Sequence, residues 1–132
     1  MLDASAWTGI VSALEARDVD ANVAAAERLH AEASIEDVPK LLALLKDGHD
    51  FFTREAAAWP LAELVGPTVL RELFVAYQKG FDEGHDNDGF TAALIEVSAL
   101  FPTEARSALL ALIGTETGVV QDHAKWLLEF CK

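Results

Sequence analysis

The triplet Gly-His-Asp occurs twice, at 48–50 and 84–86, each time after an acid (Asp47, Glu83), so the chain resembles itself at a spacing of 36 residues. The likeness runs on in both directions. Shifted by that spacing, Ala56 and Ala57 fall on Ala92 and Ala93, Trp59 on Ile95, Leu61 on Val97 and Leu64 on Leu100, while upstream Val38, Leu41 and Leu45 fall on Phe74, Tyr77 and Phe81. A period of this length marks a unit that cannot bury its apolar face alone and therefore stacks on copies of itself.

Within each unit the apolar residues recur at three and four, as in Val38, Leu41, Leu42, Leu45 and in Val69, Leu70, Leu73, Phe74, Tyr77, with no strand-like alternation. Helix punctuation falls at Ser34 three places before Asp37, at Asp50 ahead of Phe51, at Gly66-Pro67 and at Pro102-Thr103. These signals predict eight helices near 5–17, 20–33, 35–46, 51–65, 67–80, 88–101, 103–114 and 118–131. They pair into an all-α solenoid of about four antiparallel helix pairs, in one domain over residues 1–132. A shift of 31 carries Ala93 onto Ala124, which puts Trp126 at the position of Ile95 and Trp59, and Leu128 and Cys131 at those of Val97 and Leu100. The first pair is degenerate, with Glu27 and Glu32 where the others carry bulk, as suits a terminal unit facing water. The expected core is Leu41, Leu45, Ala57, Leu61, Leu64, Phe74, Tyr77, Val97, Leu100, Leu109, Leu112 and Leu128.

The run from Asp37 through Val38-Pro39-Lys40-Leu41-Leu42-Ala43-Leu44-Leu45-Lys46 to Asp47, followed by Thr53-Arg54-Glu55-Ala56-Ala57-Ala58-Trp59-Pro60-Leu61-Ala62-Glu63-Leu64, is similar to a HEAT repeat of the short bacterial type. In that family the first helix carries paired leucines, the turn an Asp, and the second helix a β-branched residue and Arg before an alanine run. The resemblance implies a curved solenoid and no particular chemistry. Two departures stand out: Pro60 sits where the family usually has Ala, and Phe90 takes the place of Arg54 in the third repeat. A proline there removes a backbone donor and should bend the helix.

Charge narrows the partners. Ten Lys and Arg against 22 Asp and Glu leave a formal net charge of −12, which repels nucleic acid phosphates and anionic lipid and attracts basic protein surfaces. The sequence shows neither a basic-apolar leader nor a long apolar run, and its single Cys131 cannot form an internal disulfide, so the expected location is cytoplasmic. HExxH, CxxC, G-x-S-x-G, P-loop and dinucleotide fingerprints are absent, so no enzyme and no cofactor is expected. The paired turns bring His49 and His85 near several acids, but neighbouring units stand on the order of 10 Å apart, wide for one shared ion, so no metal is expected. Nor does the acidic stretch 81–89 fit a calcium loop: aligning Gly89 as the sixth residue places Gly84 first and Ile95 twelfth, where acids are required.

At about 100° per residue, Ala57, Leu61 and Leu64 share one stripe of their helix and Trp59 lies nearly opposite with Glu55 and Ala62. Trp126 repeats that placement. Trp59, Ile95 and Trp126 then form an aromatic and aliphatic stripe edged by Glu55, Glu63, Asp122 and Glu129, or else pack as ordinary core between repeats. The expected partner-binding residues are Glu55, Trp59, Glu63, Asp82, Glu83, Asp86, Asp88, Asp122 and Trp126. The expected function is non-catalytic capture of a basic protein on an acidic concave face, in its sharpest form an immunity protein that neutralises a basic toxin. A subunit or assembly factor of a larger complex and a lyase-like HEAT-related enzyme are the alternatives.

Overall fold

The computed structural model describes residues 1–131. Its described residues fold into eight α-helices without a β-strand: α1 (Ala4–Glu15), α2 (Val19–Glu32), α3 (Val38–Asp47), α4 (Phe51–Val65), α5 (Leu70–Asp82), α6 (Asp88–Leu100), α7 (Pro102–Thr115) and α8 (Gly118–Leu128). Two short 3-10 turns, Ile35–Asp37 and Gly66–Val69, lead into α3 and α5. The all-α class is as expected, and the helix limits lie within a few residues of those expected.

The starts follow from side chains that satisfy otherwise unpaired first-turn amides. Asp3 accepts from the Ala6 N–H at 2.7 Å, and Asp50 accepts from the Thr53 N–H at 2.9 Å. Pro102 opens α7, where its missing N–H costs nothing. The Ser34–Asp37 pair forms a capping box, and the fully buried Asp37 carboxylate also accepts from the Leu2 N–H at 3.2 Å, tying the amino-terminal segment to the entry of α3. Burial alone raises the Asp37 pKa, but the Ser34 and Leu2 amides outweigh it and hold the carboxyl below its ordinary range.

Consecutive helices pack as α1 on α2, α3 on α4 and α7 on α8, and α4 packs in addition against α2 and α6. The expected third pairing is weaker: α5 lies more extensively against α3 and α8 than against α6. Because α4 touches neighbours on several sides it is buried nearly all round, through Ala56, Ala57, Ala58, Leu61 and Ala62. Ala62 therefore lies inside, not outside beside Trp59 as the simple wheel places it. Small side chains permit these close approaches, and Pro60 is accommodated buried inside a continuous α4.

Most of the expected core is buried, with four departures. Leu64, Leu112 and Leu128 are only half-buried, and Leu100 is 52% exposed. In α6 the buried stripe runs Phe90, Leu94, Val97 and continues to the half-buried Phe101, so Leu100 points off it. In α8 the stripe is Val120, Ala124, Leu127 and Cys131, one residue before the expected Leu128. An error of one residue turns a helix by about 100°, enough to exchange a core position for a surface one. Among the described residues no single helix is long and apolar enough to cross a membrane.

Candidate functional site

The α2, α4 and α6 helices enclose an open cavity of about 420 Å³. Val23, Ala26, Phe52, Ala56, Ala92 and Ala93 give it apolar walls, Trp59 contributes an aromatic side, and Glu27, Glu55 and Glu96 supply carboxyls. No lysine or arginine is among its described lining residues.

Trp59 is held at the mouth by its neighbours. Its ring stacks on His30 of α2 with centroids 3.6 Å apart and planes 9° from parallel, yet the residue stays 37% exposed. His30 Nε2 lies 2.7 Å from Glu63 Oε1 on α4, and the Trp59 indole also favours the Glu63 carboxylate. Glu63 in turn shares a hydrogen bond with Glu96 of α6. Burial, then the hydrogen bond to Glu63 and its charge, push the Glu96 carboxyl up to about 7. For Glu63, burial is outweighed by the bonds from Glu96 and His30, so its carboxyl sits below the ordinary range. Of these two coupled carboxyls, Glu96 is the one held toward its protonated form.

Glu55 does something the sequence reading did not foresee. It reaches from α4 to the start of α6, where the nearby Phe90 N–H favours its carboxylate, and it lies so close to Gly89 that a Cβ there would come within 2.6 Å of its Oε1. The helix α6 needs this service because Asn87, which precedes it at φ 64°, gives it no side-chain cap. The Asn87 Nδ2–H instead donates to the Tyr77 carbonyl at 2.7 Å. Burial, then the Asp86 charge, pushes the Glu55 carboxyl upward.

The turn acids divide. Glu83 pairs with Arg54, whose guanidinium is 3% exposed and reaches it from α4. Glu83 is therefore a structural partner of a buried cation, not a free member of an acidic rim. Asp82 accepts from the Gln78 Nε2 at 2.9 Å on the surface of α5, and Asp86 Oδ1 accepts from the Asp88 N–H at 3.3 Å. Asp82, Asp86 and Asp88 are exposed. The two Gly-His-Asp turns are not alike: Gly48 has φ −54° and Gly84 has φ 89°, and His85 stacks on Phe51 at 4.2 Å.

The expected tryptophan stripe is broken. Trp126 is half-buried and lies against Tyr77 of α5 and Phe130, at centroid distances of 6.0 and 5.3 Å. It belongs to an aromatic cluster with Phe81 and His123, where burial lowers the His123 pKa and Nε2 lies 2.9 Å from Gln78 Oε1. Ile95 is half-buried and Asp122 exposed, and neither lines the cavity around Trp59. Sequence reasoning missed the cavity residues Glu27, Phe52 and Glu96, and His30, which stacks on Trp59. One signal was available: Glu96 is the only charge in the otherwise uncharged run 89–101.

Among the described residues no group of three His, Cys, Asp or Glu side chains is arranged to hold a metal ion. Searches of protein-family models, curated proteins and solved structures find no match to this chain.

Proposed function

We propose that the chain is a short array of stacked helix pairs that binds a basic protein through the face formed by α2, α4 and α6. The α2–α4–α6 cavity carries this reading: an accessible tryptophan, apolar walls and three carboxyls occur together with no neutralising side chain lining them. An aromatic anchor ringed by charge has the composition of an interface hot spot. The net charge of −12 suits long-range attraction of a basic partner and opposes binding to nucleic acid. The array is the arrangement that the 36-residue self-likeness and the HEAT-like run imply, and the packing of α2, α4 and α6 side by side is compatible with it. Masking a basic toxin is one task that such a face suits.

Capture from an extract of the native host, repeated over a range of salt, tests the reading. The expected result is a basic protein retained at low salt, released as salt rises, and lost with Trp59→Ala or with Glu27→Gln combined with Glu96→Gln. Glu72→Gln, on α5 away from the cavity, should leave retention unchanged. Retention indifferent to salt and to the cavity substitutions contradicts the proposal.

A further inference from the structure

A helix-sized partner does not fit the cavity. Its volume of about 420 Å³ lies at the lower end of the roughly 300–1,000 Å³ of clefts that take one small ligand, whereas a helix with side chains is about 10–12 Å across. A purely apolar occupant would strip water from the carboxyls without replacing its hydrogen bonds, a neutral polar one would leave their charge uncompensated, and an anion would be repelled. A bare divalent ion finds mostly carbon, since Val23, Ala26, Phe52, Ala56, Ala92 and Ala93 form the walls and such ions require about six or more oxygens. The remaining chemistry is a cation at the end of an apolar stem.

We infer that the α2–α4–α6 cavity receives one lysine or arginine side chain of a protein partner, with its methylene stem against Phe52 and Ala93 and its charged head between Glu96 and Glu27 beside the Trp59 ring. This rests on the binding reading above and specifies its central contact. Glu55 sits against Gly89 at the α6 terminus and adds negative potential from the far wall. Trp59 is held by the stack on His30, itself bonded to Glu63, so its ring is positioned before a ligand arrives. A cation near an aromatic ring and a carboxyl gains from both. The arriving cation also adds to the opposing charge of His30 near Glu96, favouring the ionised form of Glu96 beside Glu63.

Butylammonium chloride, a lysine side chain without its backbone, is the probe, followed by two-dimensional amide and indole NMR. The expected result is saturable shifts centred on the Trp59 indole N–H and the Glu96 and Ala93 amides, with Kd on the order of 10 mM for so small a ligand. Butanol at the same concentrations should produce no such shifts, and Glu96→Gln should weaken butylammonium binding about tenfold. Glu27→Gln, at an exposed position, is a second variant expected to weaken it without disturbing the fold. Equal response to butanol and butylammonium overturns the inference, because the cavity is then simply apolar. No saturable shift overturns it too. Spermidine binding a hundredfold more tightly than butylammonium also overturns it, in favour of a free polyamine. The two readings fail separately: a basic partner captured in a salt-dependent way while butylammonium ignores the cavity leaves the binding reading standing. A cavity that takes butylammonium in a protein with no salt-dependent partner leaves the site and removes the partner.

Discussion

Glu96→Gln should make the protein more stable at pH 8 and leave it nearly unchanged at pH 5. In the folded protein the Glu96 carboxyl is pushed from its ordinary 4.5 up to about 7, so the folded state keeps a proton that the unfolded chain releases. The stabilisation from that retained proton is fully present below about pH 4.5 and is lost as pH rises through about 7. One pKa unit corresponds to 1.36 kcal/mol, which sets a ceiling of roughly 3.4 kcal/mol on the loss. The carboxyl is only partly buried, so solvent screening reduces the expected loss to about 1–2 kcal/mol. Glutamine keeps a hydrogen-bond donor toward Glu63 and cannot ionise, so the variant escapes this penalty. His30 and Glu63, which face Glu96 from α2 and α4, remain in both proteins, and because Glu63 titrates together with Glu96 the difference between variant and parent reports the pair. Urea unfolding followed by helical circular dichroism at pH 5, 6, 7 and 8 measures it; urea is chosen because guanidinium is itself a cation. A gap between variant and parent that does not change with pH, or a variant less stable at pH 8, refutes the assignment of the retained proton.

Glu83→Gln should cost about 1–2 kcal/mol in urea, because it withdraws the charge facing buried Arg54 but at a partly exposed position, whereas Asp82→Asn should stay within about 0.5 kcal/mol. Leu61→Ala, at a fully buried position, should cost about 2–5 kcal/mol and Leu100→Ala less than about 0.5 kcal/mol; equal costs by the same measurement contradict the register of α6. At Gly66 a Cβ would lie 2.7 Å from Val97 Cγ2, so Gly66→Ala should cost about 1–3 kcal/mol, and combining it with Val97→Ala should cost less than the two single changes added together.

How far the sequence could be read depended on the distance over which each signal acts. Helix starts were legible because their causes are local: Asp50 caps α4 three residues away, and Pro102 stands at the first position of α7. The buried face of α3 was legible from spacing and that of α4 only in part, since Ala62 is buried and Leu64 half-buried; transferring the register by 36 or 31 residues then loses a residue by α8, which is why Leu128 was expected where Leu127 lies. The role of Glu55 was not legible, since it depends on the start of α6 lying over α4, and no pattern within α4 encodes that. Trp126 shows the same limit. The repeat places it level with Trp59, but its surroundings are set by Tyr77 and Phe130. The cavity itself is a product of three helices, and only the isolated charge of Glu96 hinted at it.

The Arg54–Glu83 pair joins groups 29 residues apart, one buried in α4 and the other beyond the end of α5. A fragment cut at the repeat boundary after Val65 would keep the guanidinium and lose the carboxylate. It would then have to hold an unpaired charge in the interior or open α4 to hydrate it, and the first alone costs about the 1–2 kcal/mol expected for Glu83→Gln. The units that look interchangeable in the sequence are therefore not exchangeable pieces. Shuffling, deleting or inserting a repeat between 54 and 83 breaks a contact that neither neighbour can replace, so the middle of the chain changes length only when both residues change together.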